Sequence, residues 1–144
     1  MTGTADNFNF GAKSFSDDRH MTEFEGVVPA LGLALTKRGY SQLTPVQEAI
    51  LAPELKDADA LVSAETGSGK TVAFGLNLGP TLLDGAERFA KTRTPLALIV
   101  APTRELALQV KAELEWLYAM TGASLASCVG GMDMRGERRS RLSR

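Results

Sequence analysis

The residues most able to do chemistry lie in one short stretch, SAETGSGKT, from Ser63 to Thr71. Its last three residues, Gly69, Lys70 and Thr71, fit the end of the phosphate-binding pattern G-x-x-x-x-G-K-[ST]. Ala64 stands where that pattern has its first glycine. A methyl group fits at a backbone position that does not need a positive φ. We therefore interpret the stretch as a phosphate-binding loop.

Each part of this loop has a chemical role toward a di- or triphosphate. Its small residues let backbone N–H groups turn toward phosphate oxygens, and the N-terminus of a following helix adds partial positive charge. Lys70 would neutralise the β- and γ-phosphates, and the Thr71 hydroxyl would complete the shell of a Mg²⁺ ion. Glu65 is expected to be exposed. The predicted nucleotide-binding residues of the loop are Ala64, Glu65, Thr66, Gly67, Ser68, Gly69, Lys70 and Thr71; Lys70 and Thr71 are also the predicted catalytic residues, and Thr71 is the predicted metal ligand.

Three apolar runs predict the strands that position this loop. Residues 60–63 lead into the loop, and residues 96–101 (LALIVA) predict a strand buried on both faces, as in a parallel sheet. Residues 124–129 predict another strand. The order strand, helix, strand, helix, strand favours right-handed crossovers and a three-layer α/β/α sandwich with a mostly parallel sheet.

The same periodicity analysis predicts four helices. Leucines at three- and four-residue spacing indicate a first helix that Gly39 caps, and Thr44 with Pro45 marks the start of a second. The predicted ranges are 27–37, 45–51, 72–78 and 104–120.

Composition limits the possible classes of protein. The chain has 144 residues, 44% of them hydrophobic, and a net charge of −1, so we expect one α/β domain with no global attraction to nucleic acid. No apolar run is long enough for a membrane span, and we expect a cytoplasmic protein that does not bind membranes. Cys128, the single cysteine, is predicted to be a small core residue. We expect a tail over residues 1–22, a domain over 23–134 and a basic tail over 135–144.

Two stretches resemble motifs of the DEAD-box RNA helicases. Residues 64–71 (AETGSGKT) follow the pattern A-x-T-G-S-G-K-T, which is similar to the first motif of that family. GYSQLTPVQEAIL, residues 39–51, with Phe24 ahead of it, resembles the family's Q motif, in which an aromatic residue and a glutamine recognise adenine. Gln47 suits that role, because a carboxamide offers a donor and an acceptor that match adenine but not guanine.

Two further stretches resemble motifs by which the family contacts RNA. APTRELALQ, residues 101–109, is similar to motif Ia, and VGG, residues 129–131, to the GG motif. The resemblance implies sequence-independent contact with the backbone of single-stranded or duplex RNA. An arginine can bind a phosphate with its charged fork, and glycines allow a phosphate to approach backbone N–H groups. The predicted RNA-binding residues are Pro102, Thr103, Arg104, Gly130 and Gly131.

The resemblance implies a RecA-like P-loop NTPase domain that uses ATP and Mg²⁺ to unwind or remodel RNA. The sequence contains neither the Asp-Glu-Ala-Asp nor the Ser-Ala-Thr motif of the family, and no second RecA-like domain. We therefore expect a sheet that is incomplete at its C-terminal side. The chain alone is expected to bind nucleotide weakly without hydrolysing it, and to self-associate through unpaired sheet edges.

Two other functions remain open at this point. One is a module that binds ATP or RNA without turnover. The other is a different P-loop enzyme, such as a GTPase or a small-molecule kinase. A GTPase should carry N-K-x-D for guanine, which this sequence lacks, and Gln47 favours adenine.

Overall fold

The structure, a computed structural model, describes residues 24–55 and 58–130. Both predicted tails, residues 1–22 and 135–144, lie outside the described residues, as does Gly131. The elements in chain order are α1 (Pro29–Lys37), α2 (Pro45–Ile50), a short 3₁₀ turn (Pro53–Leu55), α3 (Lys70–Leu83) and α4 (Arg104–Leu117).

Helix α1 confirms the predicted glycine cap. It begins at Pro29, where the fixed φ of proline suits the first helical position. At its end Gly39 has φ +91°. The Gly39 N–H donates to the Thr36 carbonyl over 3.0 Å, and the Tyr40 N–H donates to the Leu35 carbonyl over 3.1 Å. This pair of hydrogen bonds is the Schellman motif, which satisfies carbonyls that the helix end leaves unpaired.

Helix α2 also begins where the sequence predicts. Thr44 is its N-cap in an extended conformation, and Pro45 is its first residue. It ends at Ile50, one residue earlier than predicted, and Ile50 is buried.

Helix α3 is longer than predicted, since it starts at Lys70 and continues to Leu83. It passes through Pro80, which lacks an N–H and would ordinarily be expected to end a helix. Asp84 then closes the helix in the left-handed conformation, with φ +46°. The extra turns bury Leu83 in the protein core.

Two glycines on α3 allow its neighbours to approach closely. A Cβ on Gly75 would lie 2.7 Å from Leu117 of α4, and a Cβ on Gly79 would lie 2.6 Å from Leu31 of α1. A Cβ at either position would displace a leucine methyl group, because real Cβ contacts are longer. The two glycines therefore make room for leucine side chains of α4 and α1.

The core lies between the helices. α3 packs against both α2 and α4, and α1 packs against α4. Four leucines, Leu31, Leu35, Leu76 and Leu117, are fully buried, and each contributes about 2 kcal/mol of transfer free energy. The buried core cluster consists of Phe24, Leu31, Leu35, Val72, Leu76, Val110, Leu114, Leu117 and Tyr118.

The predicted strands are not formed within the described residues. Residues 60–63, 96–101 and 124–129 run without helix, turn or strand hydrogen bonding. Leu61 is fully exposed and Leu98 is 88% exposed, so the prediction that 96–101 is buried on both faces is wrong. The physical reason is that a strand is buried only by a paired neighbour and by covering layers. Within residues 24–55 and 58–130 the helices pack on one another instead.

The prediction for Cys128 is wrong for the same reason. The cysteine is exposed, since it lies on the extended segment 123–129, which no paired strand covers. In the part of the chain that the structure describes, no helix is both long enough and apolar enough to cross a membrane.

Candidate functional site

The phosphate-binding loop leads directly into α3. Gly67 has φ +83° and Gly69, the N-cap of α3, has φ +87°. Glycine adopts this left-handed region without steric cost, so both positions require it. Because the N-cap residue is a glycine, it has no side chain that could bond the N–H groups in the first turn of α3. The N–H groups at this helix start are therefore available to an anion.

Lys70 folds back onto the loop. Its ammonium donates to the Ala64 carbonyl over 2.5 Å and to the Glu65 carbonyl over 2.6 Å. The loop thus closes around the ammonium group, and both Lys70 and Ala64 are half-buried. The sequence predicted the charge at this place, and the structure adds that backbone oxygens hold it.

The other loop residues divide into exposed and covered groups. Glu65, Thr66 and Gly67 are exposed, which confirms the expectation for Glu65. Thr71 is half-buried in the first turn of α3. The hydroxyl oxygen of Ser68 is buried and has no hydrogen-bond partner among the described residues. An unpaired buried hydroxyl is costly, so this group is suited to a ligand oxygen or a water molecule.

Gln47 lies against the loop. Its side chain is fully buried. Its Oε1 accepts the Thr44 N–H over 3.0 Å, and its Nε2 donates to the Gly69 carbonyl over 3.4 Å. A Cβ on Gly69 would lie 2.5 Å from that Nε2, so only glycine leaves room for the carboxamide. Its role in recognising adenine stays a prediction.

Thr44 is a site residue that the sequence analysis missed. Its hydroxyl donates to the Ser68 carbonyl over 2.9 Å, which joins the start of α2 to the phosphate loop. The available signal was the T-x-x-Q spacing of Thr44 and Gln47, which is the pattern of a capping box. That pattern predicts the bond between the Thr44 N–H and Gln47, but not the partner of the hydroxyl.

Phe24 lies in the hydrophobic core cluster. It is 7% exposed and packs beside Gly32 of α1. The structure therefore gives this ring a packing role at the start of the described chain. Its predicted contact with adenine stays a prediction.

The predicted RNA-binding residues lie at the ends of two exposed segments. Pro102, Thr103 and Arg104 are exposed, and Thr103 caps α4 by accepting the Leu106 N–H over 3.2 Å. That bond uses a lone pair, so the hydroxyl hydrogen remains able to donate. Arg104 Nη1 donates to the Gly130 carbonyl over 3.3 Å, which brings the two predicted RNA motifs together.

Gly130 is exposed and has open space around it, since a Cβ there would meet nothing within 4 Å. Gly131 lies outside the described residues, and its predicted contact with RNA is not tested.

A buried tyrosine supports the helix that carries Lys70. The Tyr118 hydroxyl donates to the Gly75 carbonyl of α3 over 2.6 Å. Burial raises the pKa of Tyr118 to about 12, because it disfavours the charged phenolate. The hydroxyl therefore remains a donor across the physiological pH range.

Metal binding by protein side chains is limited in this region. Among residues 24–55 and 58–130, no group of three or more His, Cys, Asp or Glu side chains could hold a metal ion. A divalent cation at the loop would therefore need oxygen ligands from a bound phosphate besides Thr71.

Comparison with known proteins gives one consistent family. Residues 44–144 match the family model described as DEAD/DEAH box helicase. The chain is 37% identical over 123 residues to the ATP-dependent rRNA helicase RRP3 of Mycosarcoma maydis, covering 84% of this chain. It is 39% identical over 115 residues to the ATP-dependent RNA helicase SrmB of Haemophilus influenzae, covering 78% of this chain.

A solved structure shows the same similarity. The crystal structure of the RNA helicase Prp28 from Chaetomium thermophilum bound to ADP matches 78% of this chain with 36% identity and a TM-score of 0.66. The chain covers 21% of RRP3, 26% of SrmB and 27% of the Prp28 chain. It therefore spans about a quarter of the length of these proteins.

Proposed function

We propose, from the premise that this chain belongs to the DEAD/DEAH box helicase family, that it forms the ATP-binding and RNA-contacting part of an ATP-dependent RNA helicase. The similarity to Prp28 supports an α/β RecA-like fold. Membership of this family decides against a GTPase or a small-molecule kinase. The three-layer arrangement and the mostly parallel sheet belong to this proposal, and they are supported by the three apolar segments between the helices.

The observation that carries the proposal is the junction between α2 and the phosphate loop. Lys70 is enclosed by the loop, and Gln47 lies fully buried against Gly69 at the start of α3. These contacts bring the two predicted halves of a nucleotide site, the phosphate-binding half and the base-binding half, into direct contact. The capping of α2 explains the bond from the Thr44 N–H to Gln47, but it does not explain the bond from Gln47 to the Gly69 carbonyl or a lysine held by two loop carbonyls.

The loop residues fit a nucleoside triphosphate. Bound ATP would supply the phosphoanhydride whose hydrolysis drives RNA remodelling. The ammonium of Lys70 would leave the carbonyls of Ala64 and Glu65 for phosphate oxygens, which form stronger, charge-assisted hydrogen bonds. The buried Ser68 hydroxyl would gain the partner that it lacks. Thr71 would contribute its hydroxyl to Mg²⁺.

Selectivity for adenine would depend on the carboxamide of Gln47. Each of its polar atoms has one protein partner, and its remaining N–H and lone pair would reach a base once nucleotide binding opens the buried junction. Adenine presents an acceptor at N7 and a donor at N6, whereas guanine presents two acceptors. We therefore propose that this residue favours ATP over GTP.

RNA would contact the exposed ends of the segments before α4 and after residue 129. Arg104 offers a cationic fork there, and Thr103 offers a hydroxyl donor next to the N-terminus of α4. Such contacts bind the sugar-phosphate backbone, so we propose binding without sequence preference. Hydrolysis and strand separation are proposed for the whole protein, not for these 144 residues alone.

Self-association is proposed through the exposed apolar segments. Leu61 is fully exposed, and Leu98 and Val100 are more than four-fifths exposed. Extended apolar segments with unpaired backbone groups readily pair with another chain. Light scattering should show dimers or larger species, and a stable monomer over a wide concentration range would count against this point.

Nucleotide binding is tested by titrating a fluorescent ADP analogue against the 144-residue chain in the presence of Mg²⁺. Lys70→Ala should weaken binding about 10- to 100-fold, because it removes charge-assisted hydrogen bonds to phosphate. Lys91→Ala is the matched control, because it removes the same charge from an exposed residue between α3 and α4. This variant should bind the analogue as tightly as the unchanged chain does.

Competition with unlabelled ATP and GTP completes the test. ATP should displace the analogue at a lower concentration than GTP. Equal binding by the Lys70 and Lys91 variants would contradict the proposal, and so would displacement by GTP at the same concentration as ATP.

A further inference from the structure

A second concave site lies away from the phosphate loop, where the C-terminal ends of α1 and α4 meet. It is a cavity of about 120 Å³, which we refer to as the α1–α4 groove. The predicted ATP contacts are Phe24, Gln47 and the phosphate loop with the start of α3, and the predicted RNA contacts are residues 102–104 and 130–131. None of these residues lines the groove, so they do not explain it. The groove is lined by Ala34, Lys37, Arg38, Trp116, Ala119 and Met120.

The aromatic wall of this groove is fixed in position. The indole N–H of Trp116 donates to the Glu113 carboxylate over 2.9 Å. The Tyr40 ring stacks on the indole with a centroid distance of 6.0 Å, and the Arg38 guanidinium lies 5.4 Å from the centroid of the Trp116 ring. These contacts hold the indole in place before any ligand arrives, which lowers the entropic cost of binding.

Two cations stand at the rim without an acidic partner among the described residues. Lys37 and Arg38 are both exposed. The Lys37 ammonium lies 3.5 Å from the Met120 sulfur, which is only a weak acceptor. Lys37 and Arg38 lie at the C-terminal end of α1, where cations stabilise a helix by interacting with its dipole. That explanation does not account for an apolar cavity beside them, or for the exposure of Met120.

The size of the cavity limits what can enter it. An apolar cavity of about 150 Å³ holds one benzene molecule, so this slightly smaller one fits an aliphatic side chain better than a purine base. Met120 is exposed and Trp116 is half-buried, and both residue types are enriched at surfaces where proteins bind partners. RNA would be held mainly by stacked bases and a run of phosphate contacts, and the groove offers room for neither.

We propose that the α1–α4 groove binds an acidic peptide segment of a partner protein, with one aliphatic side chain in the cavity and carboxylates beside Lys37 and Arg38. Electrostatic attraction would guide the peptide, and burial of the aliphatic side chain against Trp116 and Met120 would hold it. No residue of the groove belongs to the phosphate loop, so the peptide and a nucleotide would occupy separate sites.

The experiment measures fluorescence anisotropy of a labelled peptide in which one leucine is flanked by aspartates on both sides. We expect saturable binding to the 144-residue chain that weakens as salt is raised. Lys37→Glu should weaken binding about tenfold or more, because it reverses a rim charge. Ala119→Trp, which fills the cavity, should abolish binding, and a peptide with serine in place of leucine should bind about tenfold more weakly.

Lys91→Glu is the matched control, since it makes the same charge reversal at an exposed residue that does not line the groove. The far-ultraviolet circular dichroism of each variant checks that the helices are intact. Equal peptide binding by the Lys37 and Lys91 variants would overturn the proposal. So would binding of a labelled oligouridylate that depends on Lys37 while the peptide does not bind.

Discussion

The two halves of the candidate site are built in different ways. The nucleotide half rests on α2 and α3, where Gln47 is fully buried and Thr44 bonds the loop. The RNA half lies at the ends of extended segments, and Arg104 and Gly130 are exposed there. The first half is assembled by contacts between helices, whereas in the described part of the second half the Arg104 side chain joins the two motifs by a hydrogen bond to the Gly130 carbonyl. The difference indicates that helix packing alone can assemble the candidate nucleotide half, while the candidate RNA half depends on segments that the helices do not cover.

A matched pair of leucine substitutions tests the difference between the packed helices and the extended segments. Leu117→Ala removes a fully buried side chain and should lower the free energy of unfolding by about 3 kcal/mol. Leu98→Ala removes a side chain that is 88% exposed and should change it by less than about 0.5 kcal/mol. Urea denaturation followed by circular dichroism measures both values. A large loss from Leu98→Ala would mean that the extended segment is buried in solution.

A glutamine pair tests the junction between α2 and the loop. Gln47→Glu should lower the free energy of unfolding by about 2 kcal/mol, because it faces a buried carboxylate toward the Gly69 carbonyl and removes a donor. Gln42→Glu, on an exposed side chain, should have almost no effect. Thermal denaturation compares the two. Similar melting temperatures would show that the carboxamide of Gln47 does not bind the loop.

Two alanine variants separate the halves by ligand. Lys70→Ala should weaken nucleotide binding and leave the affinity for single-stranded RNA within about twofold, since its ammonium lies in the loop. Arg104→Ala should do the reverse, with RNA affinity lower by about tenfold, from the loss of a charged contact with phosphate. Filter binding at fixed salt and nucleotide titration measure the two affinities. If each variant weakens both ligands equally, the halves are not independent.

The smallest effect is expected from the tyrosine behind α3. Tyr118→Phe removes the hydrogen bond to the Gly75 carbonyl and should lower the free energy of unfolding by about 1 kcal/mol at neutral pH. Burial raises the pKa of Tyr118 from 10.0 to about 12, so between these values the unfolded chain loses this proton before the folded one does. Stability should therefore fall as the pH rises through that window.

The pH dependence separates Tyr118 from other causes of alkaline unfolding. Tyr118→Phe should reduce the loss of stability between pH 10 and pH 12. Chemical denaturation at several pH values measures it. An unaltered pH profile in the Tyr118 variant would show that this phenol is not the buried group.

The sequence predicted those parts of the fold that depend on neighbouring residues. The Gly39 cap, the Thr44 start of α2 and the start of α4 at Arg104 each follow from side chains within a turn of the helix end. The extension of α3 past Pro80 could not be predicted in this way, because burial of Leu83 favours it and that burial needs other helices.

The predicted strands are not formed within the described residues, and the sheet stays a prediction, because strand pairing is not local either. An apolar run such as residues 96–101 fits a buried strand, but burial comes from a paired neighbour elsewhere in the chain. In the site, Lys70 and the loop could be predicted from a local pattern. The hydrogen bond from the Thr44 hydroxyl to Ser68 joins residues 24 positions apart, and no local pattern reports it.

The central claim is that the start of α3 and the carboxamide of Gln47 bind an adenine nucleotide together. The most direct measurement is a titration of the isotopically labelled chain with Mg²⁺ and ADP, followed by nuclear magnetic resonance of backbone and side-chain amides. The account predicts that the amide signals of Ser68, Gly69, Lys70 and Thr71 move together with the side-chain amide of Gln47, at one dissociation constant. Shifts confined to other parts of the chain, or loop signals that move while that of Gln47 stays fixed, would contradict it.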